Sequence, residues 1–227
     1  VHFEDGARVK AGDILFTLDS RQIDAQIAQA EGTLARDRSQ LAGGAAALGT
    51  LAQTAFAAGC RWISLREKDL PPDEQVMLAH DMAVRAAAFG AHVMLHGSAQ
   101  LAHESGLHGV HLPEAADAAA ARRLLGGGAL IGQSVHTPAQ ARDVDPASVD
   151  YVIAGPAYLT ASKPGYGPAL GEAGIAAMVN VSPVPVIAIG GIDDIMIGPV
   201  LAAGAAGVAV MGTVMRAARA DAVIVGP

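Results

Sequence analysis

Cysteine is nearly missing from this chain. It occurs once, at Cys60, which excludes an intramolecular disulfide and suits a reducing compartment. Charge is also scarce, at 16% of 227 residues against 52% hydrophobic, so extensive disorder is excluded and a sizeable core is available. A basic excess is absent: the net charge is −7, which argues against general nucleic-acid binding. No run approaches the roughly 18 consecutive apolar residues needed to span a bilayer. Glu4 and Asp5 do not suit the basic start of a signal peptide, so the expected location is the cytoplasm. Val1 is not a methionine, however, and the numbering can begin inside a longer reading frame.

What the chain does have is alternation. Short apolar or β-branched runs at Trp62–Leu65, His92–Leu95, Gly109–Leu112, Leu130–Ile131, Tyr151–Ala154, Pro185–Ile189 and Gly207–Met211 read as buried strands. Alanine-rich stretches between them read as helices: Asp73–Phe89, Ser98–Ser105, Ala115–Leu125, Pro138–Val144, Gly171–Asn180 and Asp194–Ala203. Strands alternating with helices predict a parallel sheet with right-handed crossovers. Seven strands at this spacing predict an α/β fold of the (β/α)8 TIM type with an incomplete or substituted first strand.

Residues 1–46 differ in character and are expected to form a separate hairpin and helix, with the barrel over 47–227. A charged hairpin precedes Ile14–Leu18, and apolar Ile23, Ile27, Ala30, Leu34 and Leu41 follow at helical spacing. That spacing is equally that of a short coiled coil or of an ordinary amphipathic helix. Gly43 and Gly44 read as a joint. Ile14–Leu18 could also stand in for the first barrel strand.

Three fragments carry the chemistry. Arg66-Glu67-Lys68, Thr160-Ala161-Ser162-Lys163 and Gly190-Gly191 each follow a predicted strand or its loop. They offer guanidinium, ammonium, hydroxyl and backbone N–H groups, all suited to anions. In a parallel barrel such positions gather at one end around a common pocket. A pocket lined this way should hold a substrate bearing more than one phosphate-like charge. Each fragment alone also has a plain reading as a solvated loop or tight turn; it is the three together that favour a site.

Over residues 48–217 the chain resembles the thiamine-phosphate synthase and thiazole tautomerase superfamily. The likeness is carried by Gly59–Asp69, Gly109-Val110-His111-Leu112, Ile131–Thr137, Val149–Val152 with Gly155–Tyr158, Thr160–Lys163, and Ile187–Ile192. The synthase of that superfamily joins an aminopyrimidine pyrophosphate to a thiazole phosphate. The resemblance implies that Arg66, Lys68 and Lys163 hold the pyrophosphate. It assigns the thiazole phosphate to Thr160, Ser162 and the backbone of Gly190, Gly191, Met211 and Gly212. The tautomerase branch, which needs no metal, places its acid/base at a residue resembling His136. Histidine suits proton transfer near neutral pH. The substrates implied are small phosphorylated heterocycles; a homo-oligomer is left open.

The chain also departs from that pattern. Synthases of the family bind Mg2+ through two aspartates, and the matching positions here are Gly97 and Ala116. Mg2+ prefers carboxylate and water oxygens, which neither residue supplies. Glu114 could recover one ligand, and His96 could supply a donor in the metal's place. Ser64 replaces the family's glutamine near Arg66. The pairs His92 with His96 and His108 with His111 could in principle converge on a metal, but no acidic or cysteine partner flanks them at a diagnostic interval. Trp62 reads as a packing residue.

A second resemblance covers about a fifth of the chain. Glu4–Asp19, running into Ala25–Glu31, looks like half of a lipoyl-type domain and the helix start of a periplasmic adaptor protein. It would imply a periplasmic scaffold in which the barrel is inert. The expected readings are therefore a synthase, a tautomerase, or an inert chimera.

Overall fold

The computed structural model describes residues 29, 43–107, 109–159 and 167–212. By internal contacts the chain divides into two units, Val1–Ala47 and Leu48–Pro227. The expected strand Ile14–Leu18, the amphipathic helix from Ile23 to Leu41 (apart from the helical Gln29) and the adaptor-like segment lie outside the described residues. So do His108, Thr160, Ser162 and Lys163.

Helix α1 covers 43–57, so Gly43 and Gly44, read as a joint from the sequence, are helical; it precedes β1 (Trp62–Leu65). There follow α2 (Pro72–Ala87), β2 (His92–His96), α3 (Ala99–Glu104), β3 (Gly109–Leu112), α4 (Ala118–Leu125) and β4 (Leu130–Val135). The series ends with α5 (Pro138–Arg142), β5 (Tyr151–Ala154), α6 (Gly171–Val181), β6 (Val186–Ile189), α7 (Asp194–Ala202) and β7 (Gly207–Ala209). Each strand pairs in parallel with the next in chain order. The sheet curls, and with its helices forms a TIM-type α/β fold. Among the described residues β1 and β7 are its outer strands.

Period-two alternation sorts each strand into two faces. Val93, Leu95, Val110, Leu112, Ile131, Val135, Val152, Ala154, Val186 and Ala188 are all buried. Several of them join a continuous core with Ala141 of α5, Ile175 and Met178 of α6 and Val200 of α7. Burying side chains of this size contributes about 1.5–3 kcal/mol each for the larger ones. Alanine at the helix contacts, as at Ala102, Ala121 and Ala141, keeps the helices close to the sheet. The caps follow from sequence: Ser98, Asp117, Thr137 and Asp193 each accept a backbone N–H of the first turn. Thr137 and Gln140 form a complete capping box.

Two differences from the sequence reading have physical causes. β4 runs to Val135, well past the expected Ile131, because Gly132, Gln133 and Ser134 interrupt the apolar pattern without interrupting the strand. An added Cβ on Gly132 would lie 2.0 Å from Cζ of Tyr151, so the tyrosine ring occupies the space that a side chain would take. Similarly α4 starts at Ala118, where Asp117 caps it, and not at Ala115. At the opposite end of the sheet, Asp150 ties β4 to β5. Its Oδ2 accepts from the Ile131 amide at 2.6 Å and from Arg122 Nη2 at 2.7 Å.

Candidate active site

Parallel strands bring all their C-terminal ends to one mouth. Arg66 and Lys68 follow β1 and are exposed; His96 ends β2; Ser134 and His136 close β4. Gly190 and Gly191 follow β6, and Met211 and Gly212 follow β7.

The β6 turn needs its glycines. Gly190 and Gly191 adopt φ of +101° and +63°, a left-handed region that side chains rarely occupy. A Cβ on Gly191 would fall 2.5 Å from the Leu159 carbonyl oxygen. The loop after β5 is thereby drawn onto this turn, and the Tyr158 amide donates to the Gly190 carbonyl at 2.9 Å. The amides of Gly190 and Gly191 take no backbone acceptor among the described residues. The N-terminus of α7, in contrast, is already occupied by the Asp193 carboxylate, which accepts from Met196.

His136 is held from two directions. Its Nδ1 donates to the Gly155 carbonyl at 2.6 Å, which fixes the proton on that nitrogen because a carbonyl can only accept. Its Nε2 faces the Glu114 carboxylate at 3.4 Å. Gln140 supports both partners: its Oε1 accepts from the His136 amide and its Nε2 donates to Glu114. A proton on Nε2 turns the Glu114 contact into an ion pair. Both side chains remain partly exposed, at 32% and 47%.

Deeper in the sheet lies a buried group that the sequence suggested only as a possible metal ligand, paired with His108. His111, 1% exposed, stands between Ser134 and Tyr151. Its Nε2 lies 2.9 Å from Ser134 Oγ, and its Nδ1 lies 3.3 Å from the Tyr151 hydroxyl. The His96 ring packs beside it, centroids 4.9 Å apart. Trp62 meets Tyr151 edge-on at 4.7 Å, as the packing residue expected, though it is itself 37% exposed. Burial pushes the His111 imidazole down to about 3, with the nearby His96 adding to the effect. Burial likewise pushes the Tyr151 hydroxyl upward, and Asp150 reinforces it. Both groups are neutral at working pH. The available signal was the alternation itself: a histidine at the inward position of Gly109–Leu112 has no solvent to face.

The residues do not fit the Mg2+ site of the family pattern. Gly97 has φ of +131°, a conformation that an aspartate there would adopt only under strain. Ala116 brings no ligand side chain, and its carbonyl accepts from Gln133. Glu114 is engaged by His136 and Gln140. The His96 and His111 rings pack at a tilt of 44°, and both ring nitrogens of His111 have protein partners. No group of three or more His, Cys, Asp or Glu converges as a metal site among the described residues. A cavity of about 480 Å³ lies beside β4 between α4 and α5, lined in part by Gln133, Ser134 and Gln140. Among the described residues no helix is long and apolar enough to cross a membrane.

A curled, all-parallel seven-stranded sheet flanked by helices places the protein in the TIM-type α/β class. Comparison with known proteins narrows this. Residues 37–214 match the family model described as thiamine monophosphate synthase, and the chain belongs to that family. A Geobacter sulfurreducens protein with a provisional thiamine-phosphate synthase name is 40% identical over 162 residues, which is 71% of this chain and 75% of that one. The thiamine-phosphate synthase of Myxococcus xanthus is 36% identical over 137 residues, 60% of this chain and 63% of its own. Among solved structures, thiamine phosphate pyrophosphorylase from Pyrococcus furiosus superposes with a TM-score of 0.70 at 24% identity, covering 78% of this chain and 85% of that one. The family match begins after the adaptor-like segment.

Proposed function

We propose that this chain condenses an aminopyrimidine pyrophosphate with a thiazole phosphate, yielding thiamine phosphate and pyrophosphate. The carbon–oxygen bond to pyrophosphate breaks and leaves a pyrimidine-methyl cation. The thiazole nitrogen then donates its electron pair to that carbon. Charge builds on the departing pyrophosphate, and preorganised cations and N–H donors stabilise it best. Arg66 and Lys68, with Lys163, take that role, and His96 serves as a further donor. The thiazole phosphate falls to Gly190 and Gly191, with Thr160, Ser162 and the backbone at Met211 and Gly212. The observation that carries this reading is the pair of glycine amides without backbone acceptors, at the same barrel end as exposed Arg66 and Lys68. The substrates are small phosphorylated heterocycles, and the expected compartment is the cytoplasm.

A second reading rests on His136. Held between the Gly155 carbonyl and Glu114, it can pass a proton at Nε2, as a thiazole tautomerase requires. The poor fit of the Mg2+ positions favours it too. Calorimetry separates the two: thiazole phosphate and inorganic pyrophosphate are each titrated with and without Mg2+. Pyrophosphate binding supports the synthase, and its strengthening by Mg2+ would show a metal site built from other residues. Thiazole phosphate binding without pyrophosphate binding supports the tautomerase. Silence with both returns the chain to the inert reading.

A further inference from the structure

We propose that Tyr151 is a positioning residue that fixes the tautomer of His111, so that the Ser134 hydroxyl is left to donate its proton to an anion at the barrel mouth. A neutral imidazole carries one donor and one acceptor, and here each nitrogen has a single hydroxyl partner. Two arrangements satisfy the chain. In the first, Ser134 donates to Nε2, Nδ1–H donates to the Tyr151 oxygen, and the tyrosine proton falls to Met94 Sδ at 3.7 Å. In the second, Tyr151 donates to Nδ1, and Nε2–H donates to Ser134.

The second arrangement is the better match. A phenol is a stronger donor than an aliphatic hydroxyl, and an imidazole nitrogen is a far stronger acceptor than a thioether. It places the strongest donor on the strongest acceptor and leaves Met94 as a weak additional contact. Ser134 then accepts from His111, and its own proton is free. Its hydroxyl has no other hydrogen-bond partner among the described residues. Ser134 sits two residues before His136, at the mouth end of β4. Because His111 and Tyr151 stay uncharged, the relay sets direction and leaves charge alone.

The geometry also holds the tyrosine still. Its ring fills the space over Gly132 and packs edge-on against Trp62. A phenylalanine keeps those contacts and loses only the hydroxyl, so Tyr151→Phe tests the relay without collapsing its surroundings. The anion arm of the proposal rests on the reading that this mouth binds phosphate groups. The tautomer arm does not.

Two measurements on the full chain decide it. The first is a two-bond 15N–1H spectrum of the imidazole, with His111 assigned by its loss in His111→Gln. The Nε2–H form is expected in the parent and a mixture of forms in Tyr151→Phe. An Nδ1–H form in the parent, or a spectrum unchanged in Tyr151→Phe, overturns the proposal. The second is the affinity for inorganic pyrophosphate and for thiazole phosphate in a double-mutant cycle. Tyr151→Phe and Ser134→Ala should each weaken one of these anions about five- to tenfold, the scale of one hydrogen bond. In the Ser134→Ala background, Tyr151→Phe should add almost nothing. Full additivity, or no loss from either variant in a parent that binds, overturns the proposal. A parent that binds neither anion removes the proposed function instead, and the spectrum then decides the relay alone.

Discussion

The two sides of the barrel mouth are built on opposite terms. On the β2–β5 side, His111, Tyr151 and Met94 are linked in the interior, and His111 reaches Ser134, without net charge. On the β1 and β6–β7 side, Arg66 and Lys68 are exposed, and the Gly190–Gly191 turn presents amides instead of side chains. The first side gains rigidity from burial, where an unsatisfied polar group would be costly. The second gains access, at little cost to stability. One side should therefore tolerate substitution without loss of the fold, and the other should not.

The harshest way to break this contrast is to crowd the strand pair beneath the buried side, at the end of the sheet away from the mouth. A Cβ on Gly109 would sit 1.9 Å from the Leu130 carbonyl oxygen, where β3 pairs with β4. Backbone has no rotamer with which to retreat. Gly109→Ala should cost more than about 3 kcal/mol, beyond the usual range for a point substitution. A urea titration followed by circular dichroism would show the midpoint collapsing, or the variant failing to fold.

Next comes the exposed side, where the effect should fall on chemistry alone. Arg66→Ala should lower the rate of thiamine phosphate formation about 10²–10³-fold, the loss typical of one preorganised donor to developing negative charge. The same variant should melt within about 0.5 kcal/mol of the parent, as surface substitutions do. Steady-state kinetics together with a thermal melt check both halves. A variant that loses activity and stability together would erase the contrast.

How visible each side was in the sequence follows from the same physics. All seven strands were legible, because parallel strands covered by helices read as apolar runs. β4 was the partial exception: Gly132 and Ser134 serve the interior polar group and so broke the pattern that marks a strand. The exposed side was legible too, since Arg66, Lys68 and Gly190-Gly191 sit at strand ends whatever the details of packing. His111 was not. It lies within a four-residue strand buried throughout, and its partners Ser134 and Tyr151 are 23 and 40 residues away. Only folding reveals that juxtaposition. Glu114 was legible as a carboxylate near the mouth, but its engagement by His136 and Gln140 was not.

His111 also gives the buried side a pH signature. Its folded value, about 3, lies below the ordinary histidine value near 6.5, so the unfolded chain takes up this proton first. Stability from this group is therefore complete above about pH 6.5 and declines as pH falls toward 3, at most about 1.4 kcal/mol per unit. Between pH 7 and pH 5 the loss should be about 2 kcal/mol by urea titration. His111→Gln, less stable at neutral pH, should show a shallower acid slope. An equal slope in both would mean that other groups carry the acid sensitivity.

The smallest effect belongs to neither side and so calibrates both. Asp117 caps α4 by accepting from the Ala120 amide at 2.8 Å, in an exposed setting. Asp117→Ala removes one helix-terminal acceptor and should cost about 1 kcal/mol. For a barrel of this size that corresponds to a drop of about 2–4 °C in Tm. Activity at temperatures well below the melt should stay at the parent level, because the Asp117 carboxylate itself accepts from the Ala120 amide of α4 and from no group at the mouth among the described residues. A rate loss in Asp117→Ala comparable to that of Arg66→Ala would show that stability alone limits turnover. The exposed cations would then have no separate claim on the chemistry. A preserved rate beside a lowered Tm would leave the Arg66 result attributable to charge at the mouth.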